Sequence, residues 1–363
     1  MKTEEEVNIP IFSLYALDDK LLVSGGGGNI KFGVKNKILL YQLKEGYFGE
    51  KLYEENLDKI PEFIEGIQSK KIFSFCCENN IFFYSILQDN KFQKIYTLII
   101  KPENISLNCF KINENILATG DENGSLKLFK IEFNNNEINT INEIASNTNA
   151  HWRGINKIFF GKKNNINFLI TASGDGTCKI FDITNPSLIK NVSFFSFRKT
   201  LSEPANYLMR DLIYINEKNL AYTIQSLQKG KSFLTKWNTS NINFVEPIET
   251  IEISRVPCTS FDITENKKYL GITDSQGKIF FVDAKNMKIC WWGKIGEEML
   301  KKSLFYKEYL VTGSIDSKVR ISKLTTGLKG TFLFFKYIFY IAIFFGICYY
   351  IYLKKNNLIH EDD

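Results

Sequence analysis

The sequence is poor in the residues that most chemistry requires. Only two histidines, His151 and His360, occur in 363 residues, which leaves zinc sites poorly supplied. Seven cysteines, at 76, 77, 109, 178, 258, 290 and 348, form no C-x-x-C pair and no regular spacing, so they read as reduced core residues of a cytosol-facing domain. A net charge of +6 is spread without any dense Lys/Arg stretch, and that excludes a nucleic-acid footprint. The first seven residues are acidic and carry no apolar h-region, so no secretory signal peptide opens the chain. No His-Asp-Ser, Cys-His or metal-ligand cluster is legible, and no covalent chemistry, nucleic acid or small-molecule substrate is expected.

What the sequence does hold is a run of four glycines between two apolar segments. Residues 21–23, Leu-Leu-Val, lead into Gly25, Gly26, Gly27 and Gly28; Ile38 to Leu43 leaves after Gly33, Asn36 and Lys37. Backbone without Cβ atoms can take positive φ and approach a partner closely. Two phosphate-binding patterns fail here. A P-loop needs Gly-Lys-Ser/Thr and then a helix, but Val34 and Lys35 follow Gly33. A dinucleotide fingerprint needs a glycine where Lys31 stands, and residues 38–43 are β-rich rather than helical. A long loop between antiparallel strands remains.

Beyond the loop the chain repeats one phrase: an apolar strand, a turn with Asp and Gly, and an alternating strand. Its clearest copies are 116–129 (ILATGDENGSLKLF) and 169–182 (LITASGDGTCKIFD), with others at 270–283 and 310–324 and weaker ones at 22–43, 72–87 and 220–237. With Val23, Phe75, Ala118, Thr171, Tyr222, Gly271 and Val311 as anchors, the steps are 52, 43, 53, 51, 49 and 40 residues. Four-stranded blades take roughly 40 to 45 residues, and insertions map to loops. The predicted fold is therefore all-β, a seven-bladed WD-repeat propeller over residues 1–324. No blade holds both the Gly-His and the Trp-Asp signatures. Residues 11–17 are expected as the innermost strand of the first blade. Residues 3–9 are expected to add the outer strand of the last blade, although three consecutive glutamates are poor strand formers.

The recurring turn aspartates, Asp121, Asp175, Asp274 and Asp316, lie one per blade and read as turn residues, not catalytic or calcium carboxylates. Trp291 and Trp292 sit on a predicted outer strand, where neighbours face opposite ways, so one is expected in the core.

A linker at 325–330 leads to residues 331–353. Of these, 337–353 are 17 uncharged residues, a helical length of about 26 Å that suits the thinner bilayer of the endoplasmic reticulum. The prediction is one C-terminal transmembrane helix and a short lumenal tail, 354–363. Lys318, Arg320, Lys323 and Lys329 precede the span while Lys354 and Lys355 follow it, which places the propeller in the cytosol. The C-terminal residues do not match the Lys/His-Asp-Glu-Leu retrieval signal.

The segment Leu22-Val23-Ser24-Gly25-Gly26-Gly27-Gly28, the insert Asn29, Ile30, Lys31 and Phe32, and Gly33-Val34-Lys35-Asn36-Lys37 closely resemble one family. It comprises the membrane-bound guanine-nucleotide exchange factors for the Sar-type small GTPase of COPII coat assembly, in animals the prolactin regulatory element-binding protein. A propeller, the Gly-rich loop in its first blade and a single C-terminal span match that family over nearly the whole chain. The resemblance implies catalysed GDP release and GTP loading on a Sar-type GTPase at the endoplasmic reticulum membrane. It also implies that residues 29–35 press on the GTPase, that Asn36 acts in exchange, and that potassium organises the loop around Gly25 to Gly28.

The physics suits that task, because an exchange factor needs no nucleophile: it binds the nucleotide-free GTPase better than the loaded one. Glycine carbonyls are hard oxygen ligands for an alkali cation. Lys31, Lys35 and Lys37 either contact acidic groups on the GTPase or serve solubility. Asn36 is either a turn residue or an acting amide. The alternative function is a membrane-tethered propeller scaffold without exchange activity.

Overall fold

The computed structural model describes residues 3–28, 33–134, 137–196, 207–227 and 230–324. Its strands form seven four-stranded antiparallel sheets, the blades of a propeller. Blades 1 to 6 take strands from 11–57, 63–99, 107–147, 155–196, 207–254 and 258–294, each sheet in sequence order from the inner strand outward. Blade 7 is built from 300–323 and is completed by the N-terminal strand Glu4–Glu6. All seven anchor residues fall on the second strand of their blade.

Burial explains the apolar runs that mark those second strands. Ile72–Cys77 is buried at every position, because each face of a blade is covered by a neighbouring blade. The core is accordingly seven layers, one per junction. The layer between blades 2 and 3, for example, packs Ile72, Phe83, Phe110, Leu117 and Phe129. The seam between blades 7 and 1 packs Val7, Ile9, Ile11, Val311 and Val319. Outer strands are wet on one side: in Lys288–Lys294, Trp291 packs against Phe281 while Trp292 is exposed. Cys76, Cys77, Cys109, Cys178 and Cys258 are buried and free, and Cys290 is half-buried.

The glutamate strand forms despite its propensity because of what it faces. Glu4 pairs with Arg320 and Glu6 with Lys318 across the sheet. The Glu4 carboxylate meets Lys318 Nζ at 2.7 Å and Arg320 Nε at 2.8 Å. Cross-strand opposite charges thus convert a poor strand former into a specific one.

Six of the seven inner strands share an irregularity near their start. Register shifts fall between Ile11 and Ser13, Leu107 and Cys109, Ile155 and Lys157, Met209 and Asp211, Cys258 and Ser260, and Leu300 and Lys302. A β-bulge inserts one residue and re-aims side chains. At the propeller axis, consecutive residues can therefore face the same space.

A single compact unit ends at Leu324. The expected membrane helix at 331–353 lies outside the described residues. Among the described residues, no helix is long and apolar enough to cross a membrane.

Candidate functional site

The Gly-rich loop joins the second strand of blade 1, Lys20–Gly25, to the third, Asn36–Lys44. In an antiparallel blade this connection lies at the same end as the links between consecutive blades. The loop is rooted by close backbone approach. Gly26 N donates to Pro10 O at 3.0 Å. A Cβ on Gly26 would stand 2.2 Å from Asn36 Oδ1, and one on Gly27 would stand 2.6 Å from Val34 Cβ. Gly28 takes φ +85°, a conformation that favours glycine. The glycines are there to let the loop pack against itself.

Asn36 supplies the bond that closes the loop. It is buried, opens a regular strand paired to Leu57, and does not have a positive φ. Its Oδ1 accepts from Gly28 N at 3.1 Å, and its Nδ2 donates to Gly28 O at 2.8 Å and to Asp58 O at 3.1 Å. Both ends of one amide therefore hold the N–H and the C=O of one residue, eight positions away. Expected at the exchanging surface, the Asn36 side chain is instead the internal clasp of the loop. A turn role is also removed, since the backbone there is an ordinary strand.

The remaining loop residues divide by exposure. Gly33 and Lys35 are exposed and Val34 is half-buried against the seam between blades 7 and 1. Lys37 turns back to Glu54 at 3.1 Å. Lys51 and Lys37 together hold the Glu54 carboxyl below its ordinary range, so Lys37 is spent inside the blade. Asn29, Ile30, Lys31 and Phe32 lie outside the described residues. Beside the returning limb runs a groove of about 390 Å³ lined by Gly33, Val34, Lys35, Asn56, Leu57 and Asp58.

Potassium was expected on the carbonyls of Gly25 to Gly28. The Gly28 and Asp58 carbonyls converge on Asn36 Nδ2, so an amide already stands where a cation held by those two oxygens would sit. A carbonyl oxygen has two lone pairs, so the Gly28 oxygen keeps one beyond its bond to Asn36. Among the described residues, no group of three His, Cys, Asp or Glu side chains could hold a metal.

A second polar constellation was not legible in the sequence. His151 Nδ1 lies 2.9 Å from Asp175 Oδ2, and its Nε2 lies 2.7 Å from Thr171 Oγ1. Thr177 also donates to Asp175 Oδ1, through its backbone N at 2.9 Å and its hydroxyl at 2.6 Å. Burial holds His151 below its ordinary value of 6.5. Burial pushes Asp175 up, but the bonds from His151 and Thr177 outweigh it and bring the carboxyl down to about 2. The consistent state is an ionised Asp175 accepting from a neutral His151 protonated on Nδ1. The phenyl ring of Phe181 packs edge-on to the imidazole, centroids 6.4 Å apart. The other turn aspartates accept from their own turns: Asp121 from Asn123 N and Ser125 N, Asp274 from Gln276 N and Lys278 N, and Asp316 from Lys318 N; Asp274 also takes the Ser254 hydroxyl and Asp316 the Arg320 guanidinium. Thr171, whose hydroxyl stands beside the His151 imidazole, is fully buried.

The family described as WD domain, G-beta repeat, matches residues 142–182, which contain the whole His151 network. No curated protein matches the chain. The crystal structure of Saccharomyces cerevisiae Sqt1 is similar at 12% identity and a TM-score of 0.64, covering 90% of this chain and 87% of that one. The WD40 β-propeller domain of Doa1 is similar at 13% identity and a TM-score of 0.64, covering 87% and 93%. At such identities the likeness shows the fold alone, a WD40-type β-propeller.

Proposed function

We propose that this chain is a guanine-nucleotide exchange factor for a Sar-type small GTPase. In this reading it is held at the endoplasmic reticulum membrane by residues 331–353, with its propeller in the cytosol. The observation that carries the proposal is the Asn36 clasp on Gly28. It ties the two roots of a glycine-rich loop of blade 1 together, and Gly33 and Lys35 stand exposed at the returning limb.

Exchange requires a surface that fits the nucleotide-free GTPase better than the loaded one. Roots fixed at Gly28 and Asn36 lower the entropy cost of binding either form, so the difference itself comes from the contacts the loop makes. Asn36 is then a positioning residue, acting through the loop it holds, while residues 29–35 make the contact. Potassium belongs to this reading at the carbonyls of Gly25, Gly26, Gly27 and Gly28. The rival reading, a tethered scaffold that gathers partners, predicts binding without faster release.

Release of a fluorescent GDP from a purified Sar-type GTPase, with and without the full-length chain, tests the proposal. Acceleration by the wild type is expected. Asn36→Ala removes three bonds at the roots of the loop, about 2 kcal/mol of loop anchoring, and should lose most of the acceleration. Asn36→Gly should fail equally, because an amide and not a turn conformation is missing. Binding of the GTPase with unchanged release would leave the scaffold; full activity in Asn36→Ala would remove the clasp from the mechanism.

A further inference from the structure

The bulges in the inner strands bring pairs of consecutive residues to the propeller axis. At the end of the axis shared with the Gly-rich loop they line a cavity of about 160 Å³, whose charged members are Glu65, Lys157, Arg210, Asp211, Lys301 and Lys302. At about 30 Å³ per water, that is room for roughly five waters or for one small ion and its shell.

The charges do not cancel. Lys157 Nζ meets Asp211 Oδ1 at 3.3 Å, and Glu65 is taken by Lys111 at 2.7 Å. Asp211 also accepts from Leu212 N and Phe261 N. Asp262 lies deeper, accepts from Phe305 N at 2.7 Å, and has its carboxyl pushed up by burial. Arg210 gives Nε to Ser226 Oγ at 2.8 Å. Among the described residues it meets no carboxylate, and its pKa is lowered by burial alone. Lys302 has no acceptor within hydrogen-bond distance among the described residues. Its side chain is half-buried among the cavity's lining. Lys157 first, and burial second, hold its ammonium down to about 8. Lys301 stands exposed at the rim, its ammonium 5.8 Å from the centre of the Phe12 ring.

We infer that this axial cavity is a binding site for a small oxyanion of the phosphate class, held by the guanidinium of Arg210 and the ammonium of Lys302. Such an ion would accept from both unpaired donors, and charge-assisted bonds of this kind are the strong ones. It would also relieve the repulsion between Lys157 and Lys302. A free cation is unsuited to a cavity whose carboxylates are already paired or bonded to backbone. The inference does not rest on the exchange reading, since no loop residue lines the cavity.

Calorimetric titration of the full-length chain with inorganic phosphate, at constant ionic strength, tests it. One saturable site per chain is expected, and Arg210→Gln and Lys302→Met should each weaken it at least tenfold. Lys302→Met removes a like charge beside Lys157, so its melting without phosphate should match or exceed wild type, which separates lost binding from lost folding. Displacement of the phosphate by phosphatidic acid vesicles, and not by phosphatidylcholine vesicles, would assign the same site to a lipid headgroup; displacement by neither would assign it to the free ion. No saturable heat in the wild type, or wild-type affinity in both variants, would overturn the site.

Discussion

His151 is needed neutral, because its Nδ1 proton serves Asp175 while its Nε2 accepts from Thr171. A histidine whose folded pKa is depressed costs stability as pH falls, since the unfolded chain takes up a proton that the folded one refuses. That loss begins below about pH 6.5, the ordinary value. Asp175 adds a second window: its stabilising share is complete above 3.8 and is lost as pH falls toward about 2. Thermal melting of the wild type should therefore drop between pH 7 and 5. The drop should be smaller in His151→Asn, which starts lower because the buried network loses a partner worth about 2 kcal/mol. An identical pH slope in the two proteins would show that His151 does not set it. At this scale Asn36 was visible in the sequence as a residue of interest, but its use was not. The sequence spaced it three residues after Gly33; only the fold brought Gly28 and Asp58 to its two ends.

Among the strands, the closing one is the most exposed to argument. Glu4–Glu6 has nothing intrinsic to make it extended, and it holds because Lys318 and Arg320 lie directly across from it. Arg320 is nearly buried and also bonds Asp316 at 2.6 Å, so the pair is anchored on one side. Glu4→Lys places a third cation there and should lower stability by about 1 kcal/mol, most of it from like charges placed opposite each other. The effect should be restored in part by pairing it with Arg320→Glu. Melting of both variants measures this, and a destabilised double mutant with no recovery would argue that the strand is held by backbone pairing alone. The bulges of the inner strands belong to the same scale. They re-aim Arg210 and Lys301 toward the axis, and alternation read from sequence gives these residues the opposite direction.

As a whole molecule, the propeller buries its core between blades, so every layer is made by two neighbours and the ring needs its last blade closed. The seam between blades 7 and 1 uses Val7 and Ile9 from the N-terminus as well as Val319 and Ile321, and residues 4–323 already give each of the seven sheets four strands. A chain ending after Gly330 should therefore fold and stay in solution, whereas the full-length chain should sediment with membranes. Carbonate extraction and density flotation of the two would check this, and flotation of the truncated chain with vesicles would move the anchor into the propeller.

The sequence by itself determined the seven-fold count, the second strands and the turn aspartates. These depend on local periodicity and turn chemistry, which neighbouring residues already specify. It also marked the glycine run and the uncharged stretch at 337–353, because composition alone is enough to single them out. The tertiary structure decided how the glycine run is held. Asn36 became a clasp and Lys37 an internal ion pair because distant residues of blade 1 arrived beside them. Three glutamates became a strand because two cations came from the other end of the chain. Register shifts in six separate strands turned alternate side chains into a charged axis. Each of these depends on contacts between residues far apart in sequence, and such contacts exist only once the ring has closed.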